Sequence, residues 1–309
     1  MARINPPNVA PGQTAPSDPR LGDLLGSDLK QRDQPQAVIL GFPSDEGVRR
    51  NGGRPGAAEG PLAIRNALYR LAPDPRSAAF AALLRRTRDL GDLEVSGDVE
   101  RDQQSLGEAL SSYLMSGAFV VVLGGGHETS YGHFLGYAKS GQSVDILNWD
   151  AHPDVRELVQ GKAHSGSPFR QALEDPSGAC RRYTVAGLEP SAVARAHLDF
   201  VERHGQAIWS QEISLDAIAL LYAAAATPTL VSLDLDAISQ AEAPGVSAPN
   251  AGGLSSRLWL DAAFQAGRSR SVTSADVVEL NPRLDIDGHT ARLAALTVWW
   301  LLRGCTERR

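Results

Sequence analysis

Val144-Asp145-Ile146-Leu147-Asn148-Trp149-Asp150-Ala151-His152-Pro153-Asp154 joins an apolar run to a cluster of side chains that can bind metal. The run reads as a strand buried in a parallel sheet. Asp150, His152 and Asp154 stand at alternate positions, so an extended backbone leaving that strand points all three roughly one way. Two carboxylates and an imidazole suit a divalent ion, and the oxygens favour a harder one such as manganese. Taken alone, the stretch is also compatible with an ordinary loop marked by Pro153.

Working outward, the same arrangement recurs along the chain. Strands are predicted near 36–41, 88–90, 118–123, 144–149, 183–187, 207–209, 229–235 and 272–280. Helical spacing fills 57–71, 78–86, 103–115, 130–139, 192–204, 215–225, 256–266 and 287–302 between and after them. Such alternation predicts an α/β fold, a mostly parallel sheet covered by helices on both faces. No linker divides it, so 36–309 reads as a single domain. In such a sheet the site belongs beyond the carboxyl ends of the strands. Residues 1–35 precede the first strand, and the Pro-, Ala-, Asn- and Gln-rich beginning reads as a mobile arm without the apolar core of a signal peptide or anchor.

Two further strand ends carry matching chemistry. Phe119-Val120-Val121-Val122-Leu123 runs into Gly124-Gly125-Gly126-His127-Glu128, which offers His127 either as a ligand or as a histidine at a helix start. The glycines lack dinucleotide spacing and no P-loop lysine follows. His133, further into that helix, reads as structural. In Thr229-Leu230-Val231-Ser232-Leu233-Asp234-Leu235-Asp236, alternation puts Ser232, Asp234 and Asp236 on one face. Two carboxylates leaving a buried strand together are costly without a cation, unless the strand end reaches solvent. His127, Asp150, His152, Asp154, Asp234 and Asp236 can thus meet in one cleft. Four carboxylates balance two divalent cations, which favours a two-metal site.

The loop 42–56 is long and rich in Gly, Pro and charge. Arg49, Arg50 and Arg54 could clamp a carboxylate by bidentate hydrogen bonds, the alternative being a solvated surface loop. Composition excludes other classes of partner. A net charge of -6 with dispersed basic residues gives no nucleic-acid footprint. The longest apolar run, Leu293 to Leu302, is too short to span a membrane and reads as a buried closing helix or a subunit contact. Cys180 and Cys305 show neither disulfide nor zinc-type spacing, which suits a reducing cytoplasm.

At these residues the sequence resembles the ureohydrolase superfamily of arginase, agmatinase and formimidoylglutamase. The resemblance runs from about Gly41 to the last helix and rests on Gly-Gly-Gly-His at 124–127, Asp-Ala-His-Pro-Asp at 150–154 and Ser-Leu-Asp-Leu-Asp at 232–236. It implies a single three-layer α/β/α domain with an arginase-like fold and two Mn2+ per subunit. His127, Asp150, Asp154 and Asp234 would hold one ion, and Asp150, His152, Asp234 and Asp236 the other, with Asp150 and Asp234 bridging.

Asp45-Glu46-Gly47-Val48-Arg49-Arg50-Asn51, His164-Ser165-Gly166-Ser167-Pro168-Phe169 and Asp285-Ile286-Asp287-Gly288-His289-Thr290-Ala291-Arg292 look most like formimidoylglutamase. That resemblance implies hydrolysis of N-formimidoyl-L-glutamate to L-glutamate and formamide, in histidine degradation, by a metal-bridged hydroxide attacking the amidine carbon. Asp154 would pass a proton to the leaving amine, with His164 as a proton shuttle and Glu279 engaging the cationic amidine. Read only as residues, the alternatives are a surface histidine for His164 and a plain salt-bridge partner for Glu279. Arg49, Arg50, Arg54 and Arg156 are candidates for the substrate carboxylates. A small-molecule amidine substrate and a homo-oligomer are implied, with the last helix, bearing Trp299 and Trp300, as a candidate subunit contact. Leu188-Glu189-Pro190-Ser191 departs from any subfamily pattern. The alternatives are an agmatinase or other guanidino-compound hydrolase, and a non-catalytic metal-binding relative.

Overall fold

The structure, a computed structural model, describes residues 2–9, 15, 17–225 and 228–308. Its strands are β1 (Ile4–Asn5), β2 (Ala37–Phe42), β3 (Thr87–Leu93), β4 (Phe119–Gly124), β5 (Val144–Trp149), β6 (Cys180–Leu188), β7 (Gly205–Trp209), β8 (Thr229–Asp234) and β9 (Val272–Val278). They form one sheet in the order β1-β3-β2-β4-β9-β8-β5-β6-β7. Every pairing is parallel except that of β1 with β3. Eight of the nine strands lie where the sequence predicts them. The ninth, β1, was not expected.

Helices cover both faces, so β2 and β4 are apolar on both sides rather than alternating with polar residues. Ile39, Val121, Trp149, Val231 and Leu233 face one way. On that side lie α3 (Gly60–Leu68), α4 (Ala78–Arg85), α9 (Leu215–Ala223), α10 (Ser256–Arg268) and α11 (His289–Cys305). Val38, Leu40, Val120, Val122 and Ile146 face the other way. There they meet α5 (Val99–Met115), α6 (Thr129–Ser140), α7 (Pro168–Leu173) and α8 (Arg195–His204). The result is the three-layer α/β/α arrangement expected. Two short helices, α1 (Leu21–Leu24) and α2 (Glu46–Arg50), complete the set.

Where the structure adds to the sequence reading, the reasons are local. Part of the stretch expected to be a mobile arm is tied down. Ile4 and Asn5 pair antiparallel with Leu93 and Asp92, covering the edge that β3 would otherwise expose. Leu21 and Leu24 of α1 are buried against the helices beside them, and the Leu21 amide donates to the Leu71 carbonyl at 2.9 Å. Residues 1, 10–14 and 16 of that stretch lie outside the described residues. The long loop after β2 contains α2, five residues that are too few to show helical periodicity. Trp299 and Trp300 pack partly buried against the core, and the Trp299 indole donates to the Ala72 carbonyl at 2.9 Å.

Strand order places the site. β4, β9, β8 and β5 are consecutive neighbours at the centre of the sheet. Leu123 is in register with Val277, Val277 with Leu233, and Leu233 with Trp149. Their carboxyl ends are therefore level, and the residues that follow emerge at one height.

Candidate metal centre

Two of these strand ends turn by the same device. Asp150 follows β5, and its Oδ1 accepts the His152 amide at 2.7 Å. Asp234 ends β8, and its Oδ1 accepts the Asp236 amide at 2.8 Å. In each case an aspartate hydrogen-bonds the backbone two residues on, which folds the chain sharply. Asp236 therefore leaves the strand in a one-turn helix, Leu235–Ala237, rather than continuing the alternation. The second oxygen of each aspartate faces inward, and that of Asp150 also accepts the Asn148 side-chain amide at 3.0 Å.

Those oxygens converge on His127. Its Nδ1 lies 3.3 Å from Asp150 Oδ2, 3.0 Å from Asp154 Oδ2 and 2.9 Å from Asp234 Oδ2. Nδ1 is buried and hydrogen-bonded to none of them, so no carboxylate sits on its N–H axis. A second group stands beside the first. His152 Nδ1 is 3.4 Å from Asp150 Oδ1 and 3.1 Å from Asp236 Oδ2, while Asp236 Oδ1 is buried without a hydrogen-bond partner among the described residues. All six ligand candidates thus form two ligand groups, His127-Asp150-Asp154-Asp234 and Asp150-His152-Asp236. Asp150 is common to both. Asp234, expected to bridge as well, is grouped here with His127, its Oδ1 taking a turn amide just as Asp150 Oδ1 does.

The electrostatics fit cations. Burial alone would disfavour charge on His127, but Asp150, Asp154 and Asp234 hold its pKa well above the usual value. Burial, then the charges of Asp236 and Asp150, push the Asp234 carboxyl well above the carboxylate range. Burial likewise raises Asp236 to about 6, opposed by His152. Carboxylates so crowded take up protons unless a cation neutralises them. Two orphaned buried donor atoms and a hard oxygen-rich set fit a pair of divalent ions.

Glu279 follows β9 and overlooks the centre. Its Oε1 accepts the His127 amide at 2.8 Å, and its own amide donates to the Gly125 carbonyl at 2.8 Å. Burial and the neighbouring Glu128 raise its pKa to about 8. Glu279 and Asp154 have φ of 67° and 43°, a strained region for residues with a side chain. Gly125 and Gly126 are required here, because a Cβ at either would collide, with the Ser44 backbone and with the Glu128 carboxylate. Glu128 in turn accepts the Gly47 amide at 2.8 Å and the Ser44 hydroxyl at 3.1 Å, joining the glycine turn to α2.

A cleft of roughly 200 Å³ opens over the two groups. Among the arginine candidates, only Arg156 lines it. Arg156 Nη1 reaches Asn51 Oδ1 at 3.3 Å and is otherwise exposed. The other three are engaged within the protein. Arg50 is bound to Glu100 and the Ala163 carbonyl, Arg54 to the carbonyls of Val246 and Ser247, and Arg49 to Glu46 and Asp45. His164 does not line the cleft either. It is buried, with Nε2 donating to the Glu157 carbonyl at 2.9 Å and Nδ1 accepting the Gly166 amide at 3.2 Å. With both nitrogens held by backbone, its ring braces the 157–166 loop. The sequence reading missed Asn51, Ser165 and Ser247 on the cleft wall. Small polar residues in glycine-rich loops carry no periodic signal.

Fold and site together define a metal-dependent α/β protein with its candidate centre at the carboxyl edge of a parallel sheet. The chain belongs to the arginase family, whose model matches residues 35–303. Among its relatives are a formimidoylglutamase of Nocardia farcinica, 40% identical over 84% of this chain and 83% of the relative, and one of Chromobacterium violaceum, 35% identical over 89% and 90%. A crystal structure of Trypanosoma cruzi formiminoglutamase with Mn2+2 superposes with a TM-score of 0.86 at 33% identity, covering 94% of this chain and all of that one. Bacillus subtilis arginase is further off, with a TM-score of 0.74 at 25% identity over 86% of this chain and 98% of the other.

Proposed function

We propose that this protein is a manganese-dependent formimidoylglutamase. It hydrolyses N-formimidoyl-L-glutamate to L-glutamate and formamide, breaking the bond between the amidine carbon and the glutamate nitrogen. The observation that carries this reading is the convergence of His127, Asp150, Asp154, Asp234, His152 and Asp236 as two ligand groups sharing Asp150. His127, Asp150, Asp154 and Asp234 would hold one Mn2+, and Asp150, His152, Asp234 and Asp236 the other. When bound, the pair supplies a water acidic enough to act as a nucleophile near neutrality.

The chain's own residues supply binding and proton transfer. Glu279, fixed by the His127 amide at 2.8 Å, accepts hydrogen bonds from the cationic amidine and orients its carbon toward the centre. Arg156, the one arginine on the cleft wall, pairs with a substrate carboxylate, and Asn51, Ser165 and Ser247 offer it neutral hydrogen bonds. Asp154, whose side chain is 14% exposed at the cleft floor, carries the proton to the departing amine. With both ring nitrogens on backbone groups and no place on the cleft wall, His164 is assigned a bracing role in place of that shuttle. Arg49, Arg50 and Arg54 shape the loop that frames the cleft. Cytoplasmic location and assembly into a homo-oligomer belong to the same reading.

The deciding experiment is glutamate release from N-formimidoyl-L-glutamate by manganese-loaded protein, with agmatine and arginine assayed beside it for urea. Turnover confined to the first substrate is expected. Urea from a guanidino compound would keep the metal centre and overturn the assignment of Arg156. Silence on all three with manganese bound would favour a non-catalytic relative.

A further inference from the structure

Behind the metal centre, on the side away from the cleft, lies a fully buried polar network that the proposed chemistry does not use. Asp276 sits in the middle of β9 with no exposure. Its Oδ1 is 2.6 Å from Ser232 Oγ and 3.2 Å from Ser130 Oγ, and its Oδ2 is 2.8 Å from His133 Nδ1. His133 Nε2 continues to Ser274 Oγ at 2.7 Å, which meets the Tyr137 hydroxyl at 2.6 Å. At the other end Ser232 Oγ is 2.9 Å from His127 Nε2. Asp150, His152 and Asp236 take no part.

We propose that Asp276 is a positioning residue that acts through Ser232 to keep a proton on His127 Nε2, leaving Nδ1 bare toward the cation. Asp276 is met by three groups that can each give it a hydrogen, from Ser130, Ser232 and His133, and a carboxylate has only acceptors to offer them. Ser232 has one hydrogen, and at 2.6 Å it goes to Asp276. The Ser232 oxygen therefore faces His127 with lone pairs, and Nε2 must be the donor. Holding a cation requires the neutral imidazole, which carries one hydrogen, so with that hydrogen on Nε2 the Nδ1 lone pair is left for the ion.

The opposite arrangement has a visible cost. If Asp276 donated to Ser232, Ser232 would donate to Nε2 and the ring hydrogen would move to Nδ1. Nδ1 would then need a carboxylate on its N–H axis, and none of the three within 3.3 Å is hydrogen-bonded to it. Both ends of the ring agree on one tautomer. Its free nitrogen points where Asp150, Asp154 and Asp234 converge. A partner behind a ligating histidine fixes ring orientation and basicity, and its loss typically weakens metal binding ~10–100-fold.

The inference rests on the metal-centre part of the proposed function and not on the substrate. It is tested by titrating metal-free protein with Mn2+ and reading free Mn2+ by its paramagnetic resonance signal, with no activity assay. Wild type should bind two ions. Ser232→Ala should weaken one of them ~10–100-fold and leave the other at wild-type affinity, since the His152 group lies outside the network. Asp276→Asn, which has a single acceptor oxygen for three donors, should weaken the same ion by a smaller factor. Because Asp276 acts only through Ser232, the double variant should bind like Ser232→Ala alone. Losses that multiply in the double variant, equal weakening of both ions, or wild-type affinity in Ser232→Ala would each overturn the relay. A general packing defect would lower thermal stability without singling out one ion. Wild type that binds no manganese would overturn this inference and the metal-centre reading together, whereas an unexpected substrate would leave the titration untouched.

Discussion

Stripping divalent cations should make the protein less stable as pH rises from about 5 to 8, and manganese should abolish that trend. Without cations, Asp236 is lifted from an ordinary 3.8 to about 6 by burial, opposed by His152. Glu279 is lifted to about 8 by burial and Glu128, and Asp234 also lies well above its usual value. For each of these carboxyls the folded state keeps a proton that the unfolded chain has already released. Their stabilisation is therefore complete below about pH 4 and is lost as pH rises through the folded values. His127 and His152, also raised, act in the same sense above their ordinary value of 6.5. His197, lowered by burial and by Arg156, acts in the opposite sense but is mostly outside the core.

For Asp236 alone the loss is on the order of 3 kcal/mol, at about 1.4 kcal/mol for each tenfold change in proton affinity. The coupled groups do not add to this in full. With an unfolding entropy of ~2 cal/mol/K per residue, a chain of 309 residues should lose ~5 °C in Tm from that group. Thermal unfolding followed by circular dichroism, with chelator or with manganese at several pH values, reads the effect. A metal-free Tm that stays level or rises over this range would refute the reasoning, as would a manganese shift no larger at pH 8 than at pH 5.

Other perturbations separate the roles of individual residues. Asp150→Asn weakens a carboxylate common to both ligand groups, so both ions should be lost together and kcat should fall at least ~1,000-fold, measurable by metal analysis of dialysed protein. Arg156→Ala should raise KM ~10–100-fold with a smaller change in kcat, as expected for a lost charge-assisted hydrogen bond. Arg54→Ala, by contrast, removes hydrogen bonds to the Val246 and Ser247 carbonyls and should show first in thermal stability. Gly125→Ala forces a Cβ against the Ser44 backbone and should cost ~1–3 kcal/mol in chemical denaturation.

The fold and the metal ligands were legible because they are written locally. Residues 119–124, 144–149 and 229–234 form strands where the sequence places apolar runs, since a strand buried on both faces is rich in apolar residues. Asp150, Asp234 and Asp236 announce themselves as carboxylates attached to such runs, where burial would be prohibitive without a cation. Asp276 carried the same kind of signal, one charge in a run of small and apolar residues, and its meaning depended on partners 44 residues away at Ser232 and 143 away at His133.

What only the tertiary structure decided is which polar groups are already engaged. Arg49, Arg50, Arg54 and Arg156 look alike in sequence, yet three are bound within the protein and one lines the cleft. His164 has the residue type and the setting of a shuttle, and backbone groups at Glu157 and Gly166 occupy both its nitrogens. Residue type and spacing determine what a side chain can do. Hydrogen bonds are short-ranged and each lone pair is used once, so the packed structure alone determines which of those capacities remains free.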